Sequence, residues 1–353
     1  MRAGLPDRYL PEPDTKAFGL GKNPRGLIRV EDDSSKKSVY VRGVKVRCHY
    51  LVNIGTGYTD YNGYYIVDHK FVCDPHYALV YDNAKDFTIW GNYAFVAAAN
   101  DNLGYQNKAG YNPVITTSSD GWKWAVINNA AYDFYHSCES DGIKTPPEDL
   151  KIWCWNNADY SSAPMLHHMV VVNIVGIAAM MTSLISVPMM ISNLSGAEFL
   201  ISNGKPDITI GMNYNGGPNS NYKEHYYTVW HELTHASHFA QVGESLWGPY
   251  VNYIVTHGFG YGNGTDNTKG RDICELGESW AYANQYYSAK YLWSSSIWFS
   301  KGVSSIKNLL DTGVLTRKQL YDCLTKDVKS ISDYRSKLIA SYPYKSSLIY
   351  AAF

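Results

Sequence analysis

The chain has 353 residues, 45% of them hydrophobic and 18% charged, with 31 basic against 32 acidic side chains and a formal net charge of −1. That length suits two domains or one large one, at about 150 residues each, and is ample to bury a core without disulfide or metal staples. The even charge balance offers no basic stripe for nucleic acid, and the low charge with 14% aromatic residues excludes wholesale disorder.

Residues 1–23 form a Pro- and Gly-punctuated, extended lead-in. They lack the apolar stretch of a signal peptide, which leaves either a cytosolic protein or the mature form of an exported one. From Gly26 to Trp90 the pattern is all strand: GLIRVED, VYVRGVKVRCHYLV, YYIVDHKFV, HYALVYD and FTIWGN are β-branched and aromatic runs. Turn signals separate them at Asn53 to Gly57, Asn62-Gly63 and Asp74-Pro75. Short strands at this spacing predict a small antiparallel sandwich. Gly43-Val44-Lys45-Val46, the hairpin Thr59-Asp60-Tyr61-Asn62-Gly63-Tyr64-Tyr65 and His76-Tyr77-Ala78-Leu79-Val80 carry a family pattern. The segment 24–92 resembles the carboxypeptidase regulatory-like, transthyretin-like β-sandwich. That resemblance implies a non-catalytic module of the kind common in exported proteins, and so an extracytoplasmic location: secreted, periplasmic or surface-anchored.

The cysteines Cys48, Cys73, Cys138, Cys154, Cys274 and Cys323 contain no CxxC pair, so no thiolate zinc knuckle is indicated. Cys48 with Cys73, or Cys138 with Cys154, could close a disulfide in an exported protein. The other reading is six small buried hydrophobes.

Past residue 92 the pattern turns helical. Trp122 to Cys138 reads as a helix and Lys151 to Trp155 as a short strand. Met165 to Asn193 holds no charged residue and has the length of a membrane span. Asn173, Thr182, Ser183 and Ser186 interrupt it, Pro188 closes it and no Lys or Arg flanks it, so it is read as a buried core helix near 166–187. A strand follows at Asp207 to Met212. The C-terminal part is helical, with a capping box at Thr316 to Gln319 opening a helix near 317–326 and an amphipathic helix from Ile331 to Ser341. The expected fold class is multidomain: an N-terminal all-β sandwich, then a mostly helical α+β domain over 93–353.

Within that domain His231-Glu232-Leu233-Thr234-His235 reads HExxH. Positions i and i+4 stack on one helix face, so two imidazoles can reach one metal ion. Glu232 is turned away by about 100° and can address water beside the metal. Val229, Leu233, Ala236 and Ala240 give the helix a core stripe; Asn219, Ser220 and Asn221 offer caps, and Gly243 stops it.

A catalytic zinc takes three protein ligands and keeps one open position. HExxHxxGxxH is excluded, because His238 and Gln241 occupy its Gly and final His positions. Asp266, in Gly264-Thr265-Asp266, falls one residue short of a GTxD loop. Asp266 stays a candidate, and the third continuation is Glu275-Leu276-Gly277-Glu278-Ser279-Trp280-Ala281, inside the helical run Asp272 to Tyr291. Glu278 with Ala281 gives ExxA, and the small Ala lets two helices approach. HELTH followed by GESWA resembles the gluzincin metallopeptidases. The resemblance implies a zincin-like catalytic domain and one Zn2+ held by His231, His235 and Glu278. Glu232 would then be the general base that activates water at the metal for hydrolysis of a peptide bond. Glu275, one turn earlier, is the alternative ligand. His238 is a supporting or structural residue rather than a ligand. Gly277 and Tyr282 depart from the residues many relatives carry there, which leaves the partners of the ligands unassigned.

A tetrahedral oxyanion needs a donor besides the metal. His257, Tyr282, Tyr286 and Tyr287 are candidates. The strand Asp207-Ile208-Thr209-Ile210-Gly211-Met212 is a candidate edge for pairing substrate backbone, and the loop 257–267 a candidate cleft lining. The leading expectation is a zinc-dependent peptidase acting on peptide or protein. The rivals are a surface protein binding glycan or protein with a vestigial zinc domain, and a zinc hydrolase of a non-peptide amide. The intact Glu232 argues against a vestigial site.

Overall fold

The computed structural model describes residues 21–91, 97–155, 161–169, 206–212, 221–256, 269–293 and 304–353. Most of the lead-in, His257, Asp266 and the 257–267 loop lie outside them. Of the apolar stretch expected as a helix at 166–187, only 166–169 is described, and 166–168 forms a turn. Among the described residues no helix is long and apolar enough to cross a membrane.

A β-rich region precedes a mostly helical one. The strands are β1 (Arg25–Leu27), β2 (Arg29–Asp32), β3 (Lys37–Tyr40), β4 (Lys45–Tyr50), β5 (Asn53–Tyr58), β6 (Tyr64–Ile66), β7 (His76–Val80), β8 (Phe87–Trp90), β9 (Asn100–Tyr105) and β10 (Val114–Ile115). The helical part holds α1 (Gly121–Asp141), strands β11 (Leu150–Trp155) and β12 (Ile208–Gly211), α2 (Tyr222–Val242), α3 (Glu244–Thr256) and α4 (Lys269–Trp293). It continues with α5 (Ser304–Asp311), α6 (Arg317–Asp322), α7 (Ile331–Ser341) and α8 (Ser346–Ala352).

The main antiparallel sheet runs β5-β4-β7-β9. Alternation builds it: Val46 and Cys48 on β4 face the core, while Lys45, Arg47 and His49 face out. Asn53 to Gly57, expected as a turn, is strand β5, and the chain reverses at Leu51-Val52, with Leu51 at φ 52°. The glycines that suggested a turn serve close approach instead. A Cβ on Gly57 would lie 2.1 Å from the Ile66 carbonyl oxygen, and one on Gly55 2.5 Å from His69 Cβ.

The β-rich region does not end at residue 92. β9 lies beyond it and supplies the fourth strand of the main sheet. β8, before it, instead pairs in parallel with β11, which pairs in parallel with β12. Helices α1 and α2 pack on each other, α1 also against β8 and α2 against β12. One buried apolar cluster therefore runs from Ile28 and Val46 through Ile89, Phe134 and Ile152 to Trp230 and Trp280.

Two arginines tie these parts together. The Arg42 guanidinium donates to both oxygens of Asp133 at 2.9 and 2.8 Å, and Tyr226 donates its hydroxyl to the same carboxylate. The Arg42 backbone is held as well, by Asn129, Asn83 and Asn128. Arg317 on α6 bonds Asp141 and Ser137 of α1 and Asn284 of α4, and its guanidinium lies over Phe134, Trp230 and Tyr287.

None of the six cysteines is bonded to another. Cys48 points into the core while Cys73 is exposed, so that pair faces opposite ways. Cys138 and Cys154 are both buried and unpaired, and burial pushes their thiols up to about 12. All but Cys73 match the reading as small buried hydrophobes.

Asp133→Ala leaves the Arg42 charge buried without its partner and is expected to cost about 3–5 kcal/mol in chemical denaturation, with Arg42→Met/Asp133→Leu recovering most of that loss. A second expectation concerns His168. Its Nδ1 meets Asp207 Oδ1 and its Nε2 the Glu148 carbonyl, both at 2.9 Å, so both ring nitrogens must donate. Burial opposes that charge, but these acceptors outweigh it and raise the imidazole above its usual value. The stability gap between native protein and His168→Gln should be full below about pH 6.5 and narrow as pH rises through the raised value, read from denaturation midpoints across pH.

Candidate metal centre

The HExxH helix α2 starts where expected. Asn221 accepts from the Glu224 amide while the Glu224 side chain accepts from the Asn221 amide, a reciprocal capping box. Gly243 ends the helix at φ 77°. Helix α4 packs along α2, with Ala281, one turn from Glu278, fully buried. This close packing carries Glu278 to the two histidines.

His231, His235 and Glu278 each offer one ligand atom, and these atoms lie within 4.8 Å of one another. His231 Nε2 and Glu278 Oε2 are 3.2 Å apart, as are His235 Nε2 and Glu278 Oε1, and as are the two Nε2 atoms. All three side chains are buried. Glu275, the alternative ligand, is exposed to solvent on the same helix.

The surroundings fit a cation. Gln285 Oε1 lies 3.2 Å from His231 Nδ1. An amide oxygen accepts, so Nδ1 carries the proton and a neutral His231 turns the Nε2 lone pair inward. Two imidazole nitrogens and a carboxylate then face a common point, an arrangement that requires a proton or a metal ion between them. Two nitrogens and one oxygen also match the donor set of a catalytic zinc. The ion pair shifts the titration of its members. Burial opposes charge on Glu278, yet His235 and His231 outweigh it and hold the carboxyl well below the usual range. Burial likewise opposes the His231 imidazolium, but Glu278 raises it.

Glu232 is 6% exposed and accepts no hydrogen bond from the described residues. Burial pushes its carboxyl up to about 8, with the Glu278 charge adding and His231 opposing. His238, beyond the ligand pair, is buried against Trp247, and burial with the neighbouring His235 pushes it down to about 3. Both its Nδ1 and that of His235 are buried without a partner among the described residues.

The other candidates divide. Tyr282 lies at the centre, its ring edge-on to His231 at 4.6 Å. Tyr286 points elsewhere: the Lys307 ammonium sits 4.1 Å over its ring and its phenol bonds Asp311. Tyr287 lies under Arg317. Asp207 to Met212 adjoins α2, but its outer edge is taken. Thr209 exchanges both backbone hydrogen bonds with Ser162, and the Asp207 carbonyl accepts from Met165. The Asp207 carboxylate is fully buried under the Lys151 and His167 amides and His168. Substrate backbone could pair there only by displacing residues 161–165.

Three residues at the centre carried no signal in the sequence. Tyr250 on α3 donates its hydroxyl to Glu278 Oε1 at 2.8 Å. Trp247 stacks on Tyr250 at 4.5 Å and lies 6.0 Å from the His235 ring. Gln285 is the third. Their roles come from how α3 and α4 fold over α2.

The chain matches no protein-family model and no curated protein.

Metal analysis should find one equivalent of a divalent ion on the native protein. His231→Ala, His235→Ala and Glu278→Ala should each lose it, and Glu275→Ala should retain it, by titration against a chromophoric chelator.

Proposed function

We propose that the protein is a zinc-dependent peptidase, its metal held by His231, His235 and Glu278. The observation that carries this reading is the pairing of that buried donor set with a second buried carboxyl, Glu232, which no donor among the described residues engages. Burial tunes Glu232 upward to about 8. A carboxyl placed beside the donor set can take a proton from water and return it to a leaving group. The motifs HELTH and GESWA, which resemble those of the gluzincins, support the same reading.

A bound zinc ion would supply Lewis acidity toward water and toward the scissile carbonyl. Glu232 takes a proton from the attacking water at its carboxylate and returns it to the departing amine nitrogen. Gln285 keeps the His231 ring turned so that Nε2 faces inward. Tyr282, against His231, is the candidate donor to the developing oxyanion. Trp247 and Tyr250 close one side of the site and exclude water. The substrate class is peptide or protein. An extracytoplasmic workplace follows from the resemblance of the N-terminal strands to an export-associated module.

Glu232→Gln keeps the shape and removes the base. It should bind zinc as the native protein does and lose peptide cleavage by about 10²–10⁴-fold, measured on a peptide library. Zinc bound at one equivalent with no cleavage by the native protein would sink the peptidase reading and favour the binding one.

A further inference from the structure

We propose that Tyr250 is the positioning residue for Glu278, and that Gly277 is a glycine because the Tyr250 ring must pass there. This rests on the cluster being a metal site and is independent of the peptide substrate.

Glu278 ends in a soft torsion, since carboxylates rotate broadly about their last bond. A ligand that rotates freely must be ordered when the ion binds. Here the two oxygens are already distributed, Oε2 toward His231 and Oε1 toward His235, each at 3.2 Å. The two imidazoles cannot fix this plane themselves, because with a metal bound their Nε2 atoms turn to it. Tyr250 can. Its hydroxyl donates to Oε1 at 2.8 Å, and each carboxylate oxygen has two lone-pair sites, so one remains for the ion. A hydrogen bond to a charged acceptor is among the stronger ones, and it survives metal binding.

Tyr250 is itself held. It is 4% exposed, stacked on Trp247 at 4.5 Å and 29°, with its ring 5.8 Å from that of His235. Trp247 in turn donates to the Ala163 carbonyl. The ring reaches Glu278 by lying across α4 at Gly277. A Cβ there would sit 3.3 Å from Tyr250 Cε2, close enough that the ring must yield by a few tenths of an ångström. A glycine inside a helix is otherwise unfavourable relative to alanine. Because the hydroxyl is committed to a ligand oxygen, Tyr250 acts through Glu278 and is distinct from the substrate-facing role assigned to Tyr282.

The test uses the full chain, stripped of metal and titrated with zinc against a chromophoric chelator. Tyr250→Phe keeps the stacked ring and removes the hydroxyl; it should weaken zinc binding about 10–100-fold. Gly277→Ala should weaken it in the same direction by a smaller factor while the thermal midpoint of the metal-free protein holds or rises. The double variant should lose less than the two single losses multiplied, since the added methyl at position 277 reaches Glu278 by moving the ring that carries the Tyr250 hydroxyl. Cobalt in place of zinc should show an altered visible spectrum in Tyr250→Phe. Zinc affinity of Tyr250→Phe equal to that of the native protein, or losses that multiply in the double variant, would overturn the proposal. If Tyr250→Phe does not fold, Gly277→Ala decides: zinc affinity no weaker than native overturns it. A native protein that binds no metal overturns this inference and the metal site together, whereas metal binding without cleavage overturns the peptidase reading alone.

Discussion

A carboxylate buried between two imidazoles governs the rest of the molecule. Glu278 is ionised in an interior that includes Trp230, Trp247 and Trp280, where an unpaired charge is prohibitively costly. Its neighbours are therefore constrained. Helices α2 and α4 must lie close enough for the side chains to meet, which the small, fully buried Ala281 one turn from Glu278 suits. Tyr250 and Gln285 must present a donor and an acceptor respectively. Glu232, one residue from His231, then feels both the burial and the Glu278 charge, and becomes the group that resists ionisation. Two carboxyls in one apolar pocket thus have opposite tendencies, Glu278 held low by the two imidazoles and Glu232 pushed up by burial.

Much of this was legible in the sequence because it is local. The α2 helix announces itself by Asn221, Glu224 and Gly243, and its histidines by their i, i+4 spacing. Glu278 was singled out over Glu275 by the resemblance of its ExxA run, on a visible helix, to the gluzincins. Thr316 with Gln319, and Ile331 to Ser341, were equally readable from cap chemistry and periodicity. What escaped was non-local. Asn53 to Gly57 looks like a turn by composition, and only the crossing of Ile66 to His69 explains its glycines. The exchange of β8 for β9 in the main sheet depends on partners far along the chain. Tyr250 is one of 31 tyrosines until α3 folds over α2 and α4.

The 31 tyrosines have separate duties. Tyr222 and Tyr226 line α2 beneath the site, with Tyr226 anchoring Asp133. Tyr65 donates to the Tyr111 carbonyl and Tyr77 to the Asn107 carbonyl, stitching β-region loops to strands. From the C-terminal helices, Tyr321 donates to the Ser237 carbonyl of α2 and Tyr334 to the Leu320 carbonyl of α6. For Tyr226, Tyr65, Tyr77, Tyr321 and Tyr334 a large apolar body fills the core while the hydroxyl donates to a carbonyl or carboxylate; the Tyr222 hydroxyl instead accepts from the Asn129 side chain. Tyr250 applies the same chemistry to a ligand.

The parallel run of β8, β11 and β12 has a consequence for how the chain acquires this shape. Phe87 pairs with Leu150, and Ile152 with Ile208. Such distant pairings raise contact order, and the loop-closure entropy is lost before the contacts reward it. On a ribosome, β8 emerges long before its partner strand and must wait. The hairpin β4–β5 and the helices can form early and fast, while the sheet beneath α2 closes late. Assembly of the His231, His235 and Glu278 cluster is thus expected to be among the last events of folding, and to follow the slow kinetics of the sheet rather than the rapid formation of the two helices that carry these residues.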